Sequence, residues 1–146
     1  MKKHIKTKLK DFLTNDIKAY RGIGNTINKT YGGSDDNIGT FWTNNLTMAK
    51  WFAGLIDFDI DSERYEETGN SGKVIQKILR FKNPYIINSE DADYDSFQTY
   101  MHEIINIGGV EQYKANLIQQ NYDGIILKDN NTNYYNDGVY DIYIEF

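Results

Sequence analysis

The chain closes on Val139-Tyr140-Asp141-Ile142-Tyr143-Ile144-Glu145-Phe146, and this run decides the fold class. Asp141, Tyr143 and Glu145 alternate with Ile142, Ile144 and Phe146, the two-residue period of a strand with two unlike faces. A second β-rich run, Gly124 to Lys128, precedes it, and the Asn- and Asp-rich stretch Asp129 to Gly138 between them reads as a loop of about ten residues. Working back, two helices are predicted: Tyr94 to Ile107, ending at Gly108-Gly109, and Val110 to Gln120, ending at Asn121. Lys73 to Phe81 carries Val74, Ile75, Ile78 and Leu79 in a strand pattern. It stops at Asn83-Pro84, because the single proline cannot donate to a sheet ladder, and Tyr85 to Ile87 is a short extension.

The acidic, glycine-punctuated stretch Asp57 to Gly72 reads as a mobile loop. Asn44 or Asn45 can cap a helix starting near Leu46, with Met48, Phe52, Leu55 and Ile56 as its buried stripe, and Phe41-Trp42 form a brief strand before it. Asn25 to Gly39 is a long loop. Ile17 to Arg21 is a short strand ended by Gly22-Ile23-Gly24. Ile5, Leu9, Phe12, Leu13 and Ile17 recur at helical spacing, so an amphipathic helix with solvent-facing lysines occupies residues 1–16. Strands at both ends of the chain with helices between them give an α+β class with a mixed or antiparallel sheet. No repeat, linker or composition break divides residues 1–146, so a single domain is expected.

Composition narrows the chemistry. With no cysteine and only His4 and His102 as imidazoles, far apart in sequence, neither a disulfide nor a metal site is expected. The basic start is followed by Thr7, Lys8, Lys10 and Asp11 instead of an apolar run, and no stretch suits a bilayer, so a cytoplasmic protein without membrane contact is expected. A monomer is the default expectation, as no sequence feature bears on oligomeric state. A net charge of -5 disfavours general adhesion to nucleic acid. Asp57, Asp59 and Asp61 open like a calcium loop, but Ser62 and Thr68 stand where the turn glycine and the bidentate glutamate belong. Gly22-x-Gly24 lacks the third glycine of a dinucleotide fingerprint. No Gly-x-Ser-x-Gly is present, and Glu103 beside His102 would point to a different helix face.

Three segments remain: Ala19-Tyr20-Arg21-Gly22-Ile23; Gly39-Thr40-Phe41-Trp42-Thr43-Asn44-Asn45 running into Met48-Ala49-Lys50-Trp51-Phe52-Ala53; and Asn121-Tyr122-Asp123-Gly124-Ile125-Ile126 followed by the closing strand. In this order they resemble the ADP-ribosyltransferase superfamily, especially its small phage- and mobile-element-borne members, over about Ala19 to Phe146. The resemblance implies a compact split sheet flanked by helices and NAD as co-substrate without a metal. It also implies a macromolecular acceptor, protein or nucleic acid, in a host whose defences such an effector would oppose. Displacing nicotinamide builds positive charge on the ribose, which calls for a nearby carboxylate, a clamp for the diphosphate and a slot for the base.

By that resemblance Arg21, after Tyr20, clamps the diphosphate, and the backbone of Gly22 approaches the nicotinamide amide. Phe41, Trp42 and Trp51 are candidate stacking walls, Phe41 first, while Thr43 orients the site or serves as a helix cap. The late strand has no Glu-x-Glu. Asp141 is the first choice for the acid, Asp129 the second and Glu145 the third. The missing motif also keeps open a protein that retains the fold and binds without turnover, and water as acceptor would make the chain an NAD glycohydrolase. Acceptor choice would lie in loops such as Asn25 to Gly39 and Asp129 to Gly138.

Overall fold

Ile17 and Ala19 are buried, Lys18 is exposed, and the strand they begin, β1 (Ile17–Gly24), runs through both glycines instead of ending at Arg21. The computed structural model describes residues 16–24, 38–88, 108–131 and 139–146. Along the chain β1 is followed by β2 (Thr40–Thr43), α1 (Leu46–Phe52), β3 (Ile56–Asp59), β4 (Arg64–Glu67), β5 (Gly72–Leu79), β6 (Pro84–Asn88), α2 (Val110–Gln119), β7 (Gly124–Asn131) and β8 (Val139–Glu145). Residues 1–15 of the helix expected at 1–16, and the helix expected at Tyr94 to Ile107, lie outside the described residues, as does most of the loop Asn25 to Gly39; Asp16 is described and is not helical.

Six of the described strands form one mixed sheet in the order β5-β1-β2-β8-β7-β6, and β3 and β4 form a separate two-stranded hairpin. Among the described strands only β6 and β7 pair in parallel; α2 lies in the connection between them, as a parallel pair requires a crossover. The described residues are thus α+β with a mixed sheet. Period-two alternation gives the sheet two apolar faces. Met48 of α1 and Leu117 of α2 cover Ile125, Leu127, Ile142 and Ile144 on one face. The other holds Ile17, Ala19, Trp42, Leu79, Phe81, Ile126 and Tyr143.

Three further expectations need correction. Asp57 to Gly72 is not a loop throughout, because β3 and β4 pair from Ile56↔Glu67 to Asp59↔Arg64. Phe58 packs edge-on against Tyr65 across the strands, with ring centres 5.5 Å apart, and Asp59 Oδ1 accepts from Asp61 N and Ser62 N to tie the turn. The three aspartates therefore belong to strands and a turn. Helix α1 also stops at Phe52, so Leu55 and Ile56 leave its stripe, and Met48 and Ala49 are its buried residues. Asn45 is its cap, accepting from Met48 N at 3.1 Å. Strand β7 extends past Lys128 into the segment read as loop, to Asn131.

The two short segments Asn83-Pro84 and Tyr122-Asp123-Gly124 meet at the starts of β6 and β7. Both carboxylate oxygens of Asp123 accept backbone N–H groups, from Lys82 and from Asn83, and Asn83 Nδ2 donates to Asn121 O at 2.9 Å. These bonds tie the chain entering β6 to the chain entering β7 at the end of their parallel ladder, beside the pair Pro84↔Gly124.

Candidate active site

The three motif-bearing strands β1, β2 and β8 are consecutive neighbours in the sheet. β1 pairs with β5 over all eight residues, from Ile17↔Leu79 to Gly24↔Gly72, but meets β2 only at Tyr20↔Thr43. Beyond that rung the two strands diverge. Arg21 stands at the point of divergence, its Nη1 donating to the Phe41 carbonyl at 3.0 Å. Where a ladder bond would continue between regular strands, a side chain makes the connection.

A crevice opens there, lined by Tyr20, Arg21 and Gly22 from β1, Phe41 and Trp42 from β2, Phe52 from α1 and Ile142 from β8. Five residues that the sequence resemblance assigns to NAD thus line one space: Tyr20, Arg21, Gly22, Phe41 and Trp42. Thr43 lies beneath it, buried, donating through Oγ1 to Asp141 O at 2.8 Å and accepting from Asn45 N at 3.2 Å. Its hydroxyl ties β8 to the start of α1. Trp51 does not line the crevice; it packs beside Phe52, ring centres 5.3 Å apart, against the helix-side core. Phe52 is a lining residue that the sequence pattern places only in the helix stripe.

Gly22 has a structural reason to be glycine. A Cβ there would fall 2.6 Å from Ala53 N and closer still to Ala49 O, so the missing side chain is what lets α1 lie on β1. The spacing of Ala49 and Ala53, one turn apart, supplies the matching small surface.

The acids separate by environment. Asp141 is buried and its carboxylate is fully engaged: Oδ2 takes Lys128 Nζ at 2.9 Å and Tyr143 OH at 3.4 Å, Oδ1 takes Asp129 N at 3.0 Å, and Asn44 Nδ2 lies 3.5 Å from Oδ2. The Asp141 backbone N–H donates to Asn44 Oδ1 at 2.8 Å. Around this carboxylate β7 slips register between Leu127 and Asn130, a bulge that places Asp129 at φ 59°. Asp129 in turn accepts Asn88 Nδ2 at 2.9 Å. None of the three carboxylates, Asp141, Asp129 or Glu145, lines the crevice.

Glu145 stands differently. It shares the sheet face of Tyr143 and Trp42, its side chain is 29% exposed, and Lys77 Nζ bridges both its oxygens at 3.0 and 3.1 Å. The same ammonium lies 5.5 Å from the centre of the Trp42 ring. Glu145 is therefore the late-strand carboxylate tied to a crevice-lining side chain. Lys77 carries no signal in the sequence, because its position depends on the β1–β5 register.

The Tyr143 phenol is held well above its ordinary value of 10.0, first by burial, then by the negative charge of Asp141 and the hydrogen bond to it. Above about pH 10 the unfolded chain releases this proton while the native state keeps it, so the native state binds more protons and stability falls as pH rises. Below that pH the group contributes no slope. Urea unfolding between about pH 9 and pH 11 should therefore show a steeper loss for the native sequence than for Tyr143→Phe. An equal loss in both would show that the native phenol ionises freely. Burial raises Tyr113 in the same direction, with Tyr85 adding to it, so some slope remains in the variant.

Among the described residues no group of three or more acidic or histidine side chains is placed to hold a metal, and no helix is long and apolar enough to cross a membrane. Comparisons with protein-family models, curated proteins and solved structures find no match.

Proposed function

We propose that this chain transfers ADP-ribose from NAD to a host macromolecule, the dinucleotide lying in the crevice between β1 and β2. The observation that carries the reading is the convergence of Tyr20, Arg21, Gly22, Phe41 and Trp42 on that crevice, beside the strand that bears Glu145. Chemically the lining suits the molecule. Arg21 offers a planar fork for diphosphate oxygens, and Phe41 and Phe52 offer apolar area for a flat base. Space is the constraint. The crevice measures about 300 Å³ including the solvent at its mouth, too little for a whole dinucleotide without opening. Binding requires the Arg21 guanidinium to leave the Phe41 carbonyl, which widens the gap and frees the fork for phosphate.

In the reaction the C1′–N bond to nicotinamide breaks with its electron pair passing to the ring nitrogen. The acceptor atom bonds C1′ and releases its proton to solvent. In this reading Glu145, third choice from sequence, stabilises the cationic ribose and Lys77 is its positioning residue; the support is the Lys77 ammonium, which joins Glu145 to the crevice-lining Trp42. Asp141, the first choice from sequence, supports the strands that carry the site.

With labelled NAD and a host-cell lysate, the native protein should mark a protein or nucleic acid. Arg21→Ala and Glu145→Gln should each lower labelling by about a hundredfold or more. Label persisting in both variants contradicts the assignment. The fully engaged Asp141 carboxylate and the narrow crevice favour one alternative, a protein of the same architecture that binds a host target without turnover. Calorimetry separates the two, since such a binder gives no heat with NAD. Free ADP-ribose formed without any acceptor would identify a glycohydrolase.

A further inference from the structure

Trp42 is 6% exposed, and its indole Nε1–H has no hydrogen-bond partner among the described residues. A buried donor left unmet is unfavourable by a large fraction of a small domain's stability, so native proteins keep few of them and each has a reason. Apolar Phe or Leu would fill this position in the core without that penalty. Trp42 also lines the crevice, and its ring carries the Lys77 ammonium that grips Glu145. One side chain thus joins an unmet donor, the proposed ligand space and the proposed acid.

We infer that the Trp42 Nε1–H is a specificity-determining donor, completed by a hydrogen-bond acceptor of the ligand taken between β1 and β2. The inference rests on the NAD reading, under which the acceptor is the carboxamide oxygen of nicotinamide. Arg21 serves the charged diphosphate, Phe41 and Phe52 serve the flat faces of the base, and Trp42 reads the amide. The indole then distinguishes nicotinamide from a flat ring of similar area that lacks the carbonyl.

The chain has two tryptophans, so a ¹⁵N-labelled sample gives two indole N–H signals, assigned by the one lost in Trp42→Phe. Trp51→Phe makes the same assignment from the other side should Trp42→Phe fail to fold. On titration with NAD or nicotinamide the Trp42 indole proton should move downfield, and with ADP-ribose it should stay in place. Trp42→Phe should weaken NAD binding about tenfold. Saturable NAD binding with an unmoved Trp42 signal overturns this inference and leaves the functional reading standing. A shift produced by ADP-ribose overturns the carboxamide assignment in favour of a phosphate acceptor. Absence of NAD binding at millimolar concentration overturns the functional reading, and this inference with it.

Discussion

Asp141→Ala should lower the stability of the fold by about 3–5 kcal/mol, more than any other single change at the site. The reason is what it leaves behind. Lys128, with its side chain 20% exposed, would keep its charge without the carboxylate 2.9 Å away. Asp129 N would lose its acceptor in the β7 bulge, and the Asn44 amide and Tyr143 hydroxyl would lose the same oxygen. Denaturant unfolding measures the loss directly. Asp141→Asn keeps the shape and part of the hydrogen bonding but removes the charge, so it should fall between the native protein and Asp141→Ala. Glu145→Gln provides the contrast: its ion pair with Lys77 is solvent-screened, and its stability should stay within about 1 kcal/mol of native. A drop for Asp141→Ala below about 1 kcal/mol would show that the buried network does not hold the strand ends together.

Gly22→Ala should be the second largest, a loss of about 1–3 kcal/mol or more, because a methyl group has no space between β1 and α1. The Cβ would meet backbone atoms of Ala49 and Ala53, which cannot turn aside as a side-chain tip can. Helix α1 must lift, and Phe52 would move with it out of the crevice lining. Thermal unfolding with NAD titration should show a lower midpoint together with weaker binding. Gly69→Ala tests the specificity of the effect, since nothing lies within 4 Å of a Cβ there and its cost comes only from φ 77°. Equal losses in the two variants would argue against close helix packing as the cause.

The central strands are readable in the sequence where apolar alternation runs long. Ile142, Tyr143 and Ile144 announce β8, whose two faces are both buried, and Val74, Ile75, Ile78 and Leu79 announce β5 by their β-branched and apolar content although only Leu79 of that strand is buried. The hairpin is obscured by charge. Ile56 and Phe58 do alternate with Asp57 and Asp59, but four residues crowded with acids resemble a solvated loop, and the Phe58–Tyr65 contact that stabilises the pair depends on register. The bulge in β7 is invisible for a related reason: Asp129 adopts its left-handed backbone around a carboxylate supplied from β8.

At the site, motif order is informative about β1 and β2 because both contribute adjacent residues near one rung. It is less informative about the acid. Asp141 and Glu145 share a face by alternation, and only the partners of each separate them: a buried Lys128 contact for one, an exposed Lys77 bridge for the other. Those partners come from β7 and β5, distant in sequence, so no local pattern encodes the choice.

The most direct test of the proposed NAD site is a crystal of the native protein soaked with NAD. It should show the diphosphate on the Arg21 guanidinium, released from the Phe41 carbonyl, the nicotinamide between Phe41 and Phe52, and the ribose facing Glu145. A dinucleotide seated elsewhere on the protein, with Arg21 still bonded to Phe41, would contradict it.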